Sequence, residues 1–140
     1  MVNTVKPLAE QLRPIKIDEY IGQEHLTGEN GVLRKIILSG NIPSMILWGP
    51  PGTGKTTLAY IIALASDSIF FTLSAVSSGV NEVRNIINQA KKSNKKVILF
   101  IDEIHRFSKS QQDSLLNAVE KGIITLIGAT TENPSFEVIS

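Results

Sequence analysis

Eight residues, Gly49-Pro50-Pro51-Gly52-Thr53-Gly54-Lys55-Thr56, constrain this chain more than any other feature in it. They satisfy the spacing G-x-x-x-x-G-K-[ST] at every fixed position. An apolar run, Met45-Ile46-Leu47-Trp48, leads into them, and an apolar stretch from Leu58 to Ala65 follows. A glycine-rich loop between a strand and a helix can curl until successive N–H groups point at one spot. The helix start adds its positive dipole end there. Such a loop is a cradle for phosphate. Lys55 can reach the β- and γ-phosphates of a nucleotide, and the Thr56 hydroxyl can take a place on Mg²⁺. A chance match, given this chain's own residue frequencies, is on the order of 1%.

The rest of the chain repeats the same alternation. Val32, Leu33, Ile36 and Ile37 fit one helix face, and Gly40 sits where a helix stop belongs. Residues 58–65 are apolar nearly all round and predict a buried helix. Residues 69–73 are β-branched and aromatic, hence strand-like. Val80, Val83, Ile86, Ile87 and Ala90 return to helical spacing, and residues 97–101 form an unbroken apolar run. Ser108-Lys109-Ser110-Gln111 is a capping box that should open a helix carrying Leu115, Leu116 and Val119. Gly122 ends it, and residues 123–129 predict another strand. Strands buried on both faces and alternating with helices predict a parallel α/β sheet. Residues 1–30, with Pro7, Pro14 and a turn at Thr27-Gly28-Glu29-Asn30-Gly31, read as irregular.

Two strand ends carry the remaining chemistry. The 97–101 run closes on Asp102 and Glu103. Asp102 at the carboxyl end of a strand can hold Mg²⁺. Glu103, pointing the other way along the pleat, can orient or deprotonate an attacking water. His105 can sense the phosphate state, although a packed or solvated histidine is the more frequent outcome. The later strand ends in Thr130-Thr131-Glu132-Asn133, where a hydroxyl can hydrogen-bond the γ-phosphate. Thr131 is the first choice for that sensor, then Thr130, then Asn133.

Composition closes off other classes. The chain has no cysteine, which excludes disulfides, thiolate catalysis and Cys-type metal sites. No apolar run of about 18 residues is available to cross a membrane, and residues 1–10 lack the apolar core of a signal peptide. A cytoplasmic protein is the expectation. The net charge of +1 gives no whole-domain attraction to nucleic acid. The local cluster Lys91, Lys92, Lys95 and Lys96 falls at a helix end, where lysines complement the dipole.

Taken together, the motifs resemble the AAA+ ATPases, and within them one family. Gln11-Leu12-Arg13-Pro14, Ile21-Gly22-Gln23-Glu24-His25-Leu26, the phosphate loop with Thr57, Ser74-Ala75-Val76-Ser77-Ser78-Gly79-Val80, Asp102-Glu103-Ile104-His105-Arg106-Phe107, Gln111-Gln112-Asp113 and the segment from Gly128 to Phe136 occur in its order. The chain is similar over almost its whole length to replication-associated recombination protein A (MgsA) and its eukaryotic relative, the Werner-helicase-interacting ATPase. The resemblance implies a P-loop NTPase (AAA+) three-layer α/β fold with a parallel sheet, truncated before the fifth strand and helical lid. It divides the chain into an adenine-proximal segment, residues 1–30, and a partial nucleotide-binding domain, residues 31–140. It implies adenine contacts from Arg13, Pro14, Ile21 and Gly22, and a strand order with residues 123–129 between 45–48 and 97–101. That order would bring Thr131, Asp102 and Lys55 to one crevice.

The implied activity is Mg-ATP hydrolysis by a DNA-dependent ATPase at stalled or damaged forks. Implied partners are fork or junction DNA, single-strand-binding protein and, in the full-length protein, a homotetramer, at the bacterial nucleoid and not at a membrane. The missing arginine finger and lid predict a chain that binds ATP better than it hydrolyses it, and an unpaired edge on one flank of the sheet. A non-hydrolysing scaffold is the alternative. A GTPase would carry Asn/Thr-Lys-x-Asp, whereas Asn94-Lys95-Lys96 is followed by Val97. The four arginines, Arg13, Arg34, Arg84 and Arg106, are too scattered for a kinase lid.

Overall fold

The computed structural model describes residues 12–17 and 31–132. Five strands, β1 (Arg13–Lys16), β2 (Met45–Trp48), β3 (Ile69–Ser74), β4 (Val97–Asp102) and β5 (Thr125–Thr130), form one sheet. Their order is β1-β2-β5-β4-β3, and every pairing is parallel. Among the described residues four helices connect or flank them: α1 (Gly31–Ser39), α2 (Lys55–Ala65), α3 (Val80–Lys91) and α4 (Lys109–Glu120). A 3₁₀ turn, Ile104–Arg106, follows β4. β5 lies between β2 and β4, as the resemblance implied.

Two apolar layers enclose the sheet. On one face Ile36 of α1 and Leu58, Ala59 and Ile62 of α2 pack against Met45, Leu47, Ile98, Phe100 and Ile127. On the other face Val83, Ile86 and Ala90 of α3 join Leu115 and Ala118 of α4 over Ile46, Leu99, Ile101 and Leu126. β4 is apolar throughout residues 97–101 because side chains on both of its faces are buried. The three-layer architecture follows from that burial.

Three expectations are corrected. Residues 13–16 are not irregular: they pair in register with β2, Arg13 opposite Met45 and Lys16 opposite Trp48. The flank of β2 is therefore covered by β1, and the fifth strand of this sheet comes from the N-terminal side. Only Ile15 of the strand is buried, with Leu12 and Ile17 buried on either side of it. Pro14 is tolerated because an edge strand needs no donor on its outer side, and the Lys16 ammonium lies 5.5 Å from the centre of the Trp48 ring. Secondly, α2 is not buried all round, since Tyr60 and Leu64 are 51% and 63% exposed. Tyr60 instead packs edge-to-face on Phe70 of β3, at 5.8 Å between centroids. Thirdly, β3 is an edge strand with no fully buried residue.

Lys95 pairs with Asp67 at 3.3 Å and Lys96 donates to the Gly40 carbonyl at 3.1 Å. Half of the lysine cluster thus ties neighbouring loops together. Among the described residues no helix is long and apolar enough to cross a membrane.

Candidate nucleotide site

The phosphate loop leaves β2 at Trp48 and enters α2 at Lys55. Gly49 belongs to the sheet as much as to the loop. Its N–H donates to the Thr130 carbonyl at 3.2 Å, and a Cβ built on it would stand 1.9 Å from the carbonyl oxygen of Ile17. Only glycine fits there, because the end of β1 crosses directly over it: the Ile17 N–H donates to the Trp48 carbonyl at 2.7 Å. The first glycine of the motif is therefore required by strand packing, in addition to any phosphate.

α2 begins at Gly54, a left-handed residue (φ 83°) that offers no side-chain cap. The first-turn N–H groups of a helix have no partner within it. Here they face a crevice at the carboxyl ends of β2, β5 and β4, the position favoured for ligands in open α/β sheets. The crevice holds 380 Å³ and is lined by residues 51–57, Asp102, Glu103, Thr130 and Thr131. Lys55 folds back inside it, its ammonium donating to the carbonyls of Gly49 (3.0 Å) and Pro50 (2.9 Å) and to the Thr53 hydroxyl (3.2 Å). Thr53 is buried and donates in turn to the Pro50 carbonyl at 2.9 Å. Burial lowers the Lys55 pKa below its ordinary 10.5, with the Asp102 carboxylate pulling in the opposite direction.

Glu103 departs from the pleat expected of it. It adopts the left-handed conformation (φ 54°, ψ 48°), uncommon for a residue with a side chain, and caps the 3₁₀ turn. That turn puts Glu103 on the lining of the same crevice as Asp102. Strained backbone of this kind costs on the order of 1–3 kcal/mol and persists where the surroundings enforce it.

His105 lies beside Glu103. Its Nδ1 and the Thr130 hydroxyl lie 2.7 Å apart, while its Nε2 stands 4.0 Å from Glu103 and 3.9 Å from Glu132. Thr130, only 4% exposed, also accepts from the Glu132 N–H at 3.0 Å. The histidine ring thus lies between the acidic end of β4 and the hydroxyl end of β5. The sequence marks both residues without joining them, because a contact across 25 positions leaves no local pattern.

Of the residues singled out from sequence, Pro51, Gly52, Thr53, Gly54, Lys55, Thr56, Thr57, Asp102, Glu103 and Thr131 meet in the crevice. Gly49 and Pro50 lie behind it and hold Lys55 through their carbonyls. Arg13 and Pro14 are not brought there. The parallel register sets them against Met45 and Ile46, at the far end of β2 from the loop. Ile21, Gly22 and Asn133 lie outside the described residues.

A parallel sheet with this strand order, a phosphate loop opening α2 and an acidic β4 end defines a P-loop ATPase domain, and the comparisons agree. Residues 45–138 match the ATPase family associated with various cellular activities, AAA, and the chain belongs to that family. Within it, the chain is 54% identical to replication-associated recombination protein A of Haemophilus influenzae over 139 residues, covering 97% of this chain and 31% of that protein. It is 52% identical to the Escherichia coli K12 protein of the same name, covering 99% and 32%. It is 54% identical to ATPase WRNIP1 of Dictyostelium discoideum, covering 94% and 15%. The chain therefore spans about a third or less of the length of these relatives. Among solved structures, the Thermotoga maritima RuvB Holliday junction branch migration motor is 34% identical at a TM-score of 0.64, covering 80% of this chain and 39% of that one.

Proposed function

We propose that this chain is the Mg-ATP-binding and hydrolysing module of a DNA-dependent AAA+ ATPase that acts in replication-fork maintenance, recombination or repair. The observation that carries the reading is the convergence of Lys55, Asp102, Glu103 and Thr131 on one crevice from three separate stretches of chain. In this reading the open N–H groups of the loop and of α2 hold the phosphates. Lys55 exchanges its carbonyl partners for β- and γ-phosphate oxygens, a stronger charge-assisted contact. Thr56 and Asp102 offer hard oxygen donors of the kind that suit Mg²⁺. The ion, when bound, neutralises charge on the phosphates. Glu103 orients the attacking water and takes its proton, and Thr131 registers whether the γ-phosphate is present. The reading leaves adenine contact to Ile21 and Gly22 and no longer to Arg13 and Pro14, which β1 carries to the other end of the sheet.

The names of the relatives support a role in replication and recombination, and the family resemblance supports action on DNA at the bacterial nucleoid, in the cytoplasm. The family resemblance supports a homotetramer for the longer protein, with single-strand-binding protein among its partners. The test is binding of a fluorescent ATP analogue with Mg²⁺. The native chain and Glu103→Gln should bind, while Lys55→Ala should lose on the order of 100-fold, about 3 kcal/mol. In a longer form that hydrolyses ATP, Glu103→Gln should lower turnover by about 10²–10⁴-fold. Unchanged turnover in Glu103→Gln would favour the scaffold reading instead. Equal binding by Lys55→Ala would remove the nucleotide site altogether.

A further inference from the structure

The α3/α4 face carries a second feature, which the nucleotide chemistry does not use. α3 and α4 pack side by side on the sheet, and the groove between them holds 220 Å³. Arg84, Asn88 and Lys91 line it from α3, and Ser114, Asn117 and Lys121 line it from α4 and its C-cap. Each row runs over seven residue steps, about 10 Å at 1.5 Å per residue. No acidic residue among those described lines the groove. The one acid of α3, Glu82, is engaged at the helix start, where it accepts from the Gly79 N–H at 2.6 Å. Three cations and three neutral hydrogen-bonding side chains therefore share one groove with Ile87, Ala118 and Ile123, while the acids of α4, Asp113 and Glu120, are not among its lining residues, on a chain whose net charge is only +1.

Helix-end stabilisation does not account for this arrangement. Lys91 and Lys121 do sit at helix C-termini, where cations complement the dipole. Arg84 is nearer the middle of α3, and the dipole effect falls off within the last turn. Nor is the groove part of the nucleotide crevice, since the two share no lining residue.

We infer that the Arg84–Lys91–Lys121 groove binds the sugar–phosphate backbone of a single nucleic-acid strand. Charge complementarity selects a polyanion, and cations interleaved with amide and hydroxyl groups suit phosphate and sugar oxygens. Packed helices lie about 8–10 Å apart axis to axis, so the furrow between them offers its cations along one line, as a single backbone presents its phosphates. An electropositive groove that tracks one backbone is the usual device for binding single strands without reading their sequence. The inference rests on the DNA-dependent reading above and assigns it a surface remote from the ATP site.

The test uses the 140-residue chain and fluorescence anisotropy of a labelled deoxythymidine oligomer across a salt series, with a hairpin duplex alongside. One variant combines Arg84→Gln, Lys91→Gln and Lys121→Gln. A control combines Lys35→Gln, Lys92→Gln and Lys109→Gln, which removes the same charge elsewhere. The groove variant should lose about tenfold or more in affinity, and its log–log salt slope should flatten by about 2, at roughly 0.7 per phosphate contact. The control should stay within about twofold of the native chain. Equal losses in both variants, tighter binding of the duplex, or no binding of the oligomer by the native chain would each overturn the groove. ATP-analogue binding in the same samples is read separately. Its retention shows that the variants are folded, and its absence in the native chain defeats the nucleotide reading without bearing on the groove.

Discussion

α2 and α4 begin in opposite ways. α4 opens with a complete capping box: the Ser108 hydroxyl accepts from the Gln111 N–H at 3.2 Å, and the Gln111 side chain accepts from the Ser108 N–H at 2.8 Å. Gln111 also donates to the Ser78 carbonyl at 2.7 Å, which anchors the helix start to the loop before α3. α2 opens on a left-handed glycine with no side-chain cap at all. Both helices face the same need to satisfy their first N–H groups. One meets it with a side chain and the other leaves it open. The difference teaches that an uncapped helix start can mark a binding site when a lysine and two strand ends converge on it.

If this contrast is right, damage at the two helix starts separates affinity from stability. The largest effect is expected from Lys55→Ala, which should abolish most Mg-ATP affinity while leaving the thermal midpoint of the ligand-free chain near its native value. A collapse of the midpoint would mean that Lys55 is structural. Next is Gly49→Ala, which forces a side chain into the Ile17 carbonyl. It should cost about 2–4 kcal/mol of stability, read by denaturant unfolding. A cost below about 1 kcal/mol would show that β1 does not cross the loop in solution. Ser108→Ala should cost about 1 kcal/mol and leave nucleotide affinity untouched. A change in affinity there would erase the distinction between the two starts.

The smallest effect is pH-dependent. Lys55 holds its proton less tightly when folded than in the unfolded chain, because burial lowers its pKa. Over the alkaline window just below 10.5, the unfolded chain binds more protons, so this residue makes stability rise with pH. Lys55→Met should remove that rise from the pH-stability curve, and an unaltered curve would show that the lysine is solvated.

Much of this was legible in the sequence. The strands β2 to β5, the capping box and the helix stops at Gly40 and Gly122 follow from periodicity and punctuation, and the sheet order followed from the resemblance. β1 was not legible, because Arg13-Pro14-Ile15-Lys16 has one apolar residue and a proline. Its signal was the period-2 pair Ile15 and Ile17, too short to separate from loop. The conformation of Glu103 was also hidden, since alternation along a strand predicts the opposite face and only the following 3₁₀ turn reverses it. The exposure of Tyr60 and Leu64 was missed because an apolar residue can lie at a surface as readily as in a core.

Gly128 gives the crevice a mechanical property. It lies within β5, and a Cβ built there would come within 2.6 Å of Ile104, a fully buried residue of the turn that carries the Glu103–His105 segment. With no side chain between them, the turn rests directly on the bare backbone of β5, and the Thr130–His105 bond closes the same junction from the other end. The two strand ends therefore act as a single stiff jaw of the crevice, with the phosphate loop as the other. Any displacement of the Thr130 end of β5 must carry the Glu103–His105 segment with it.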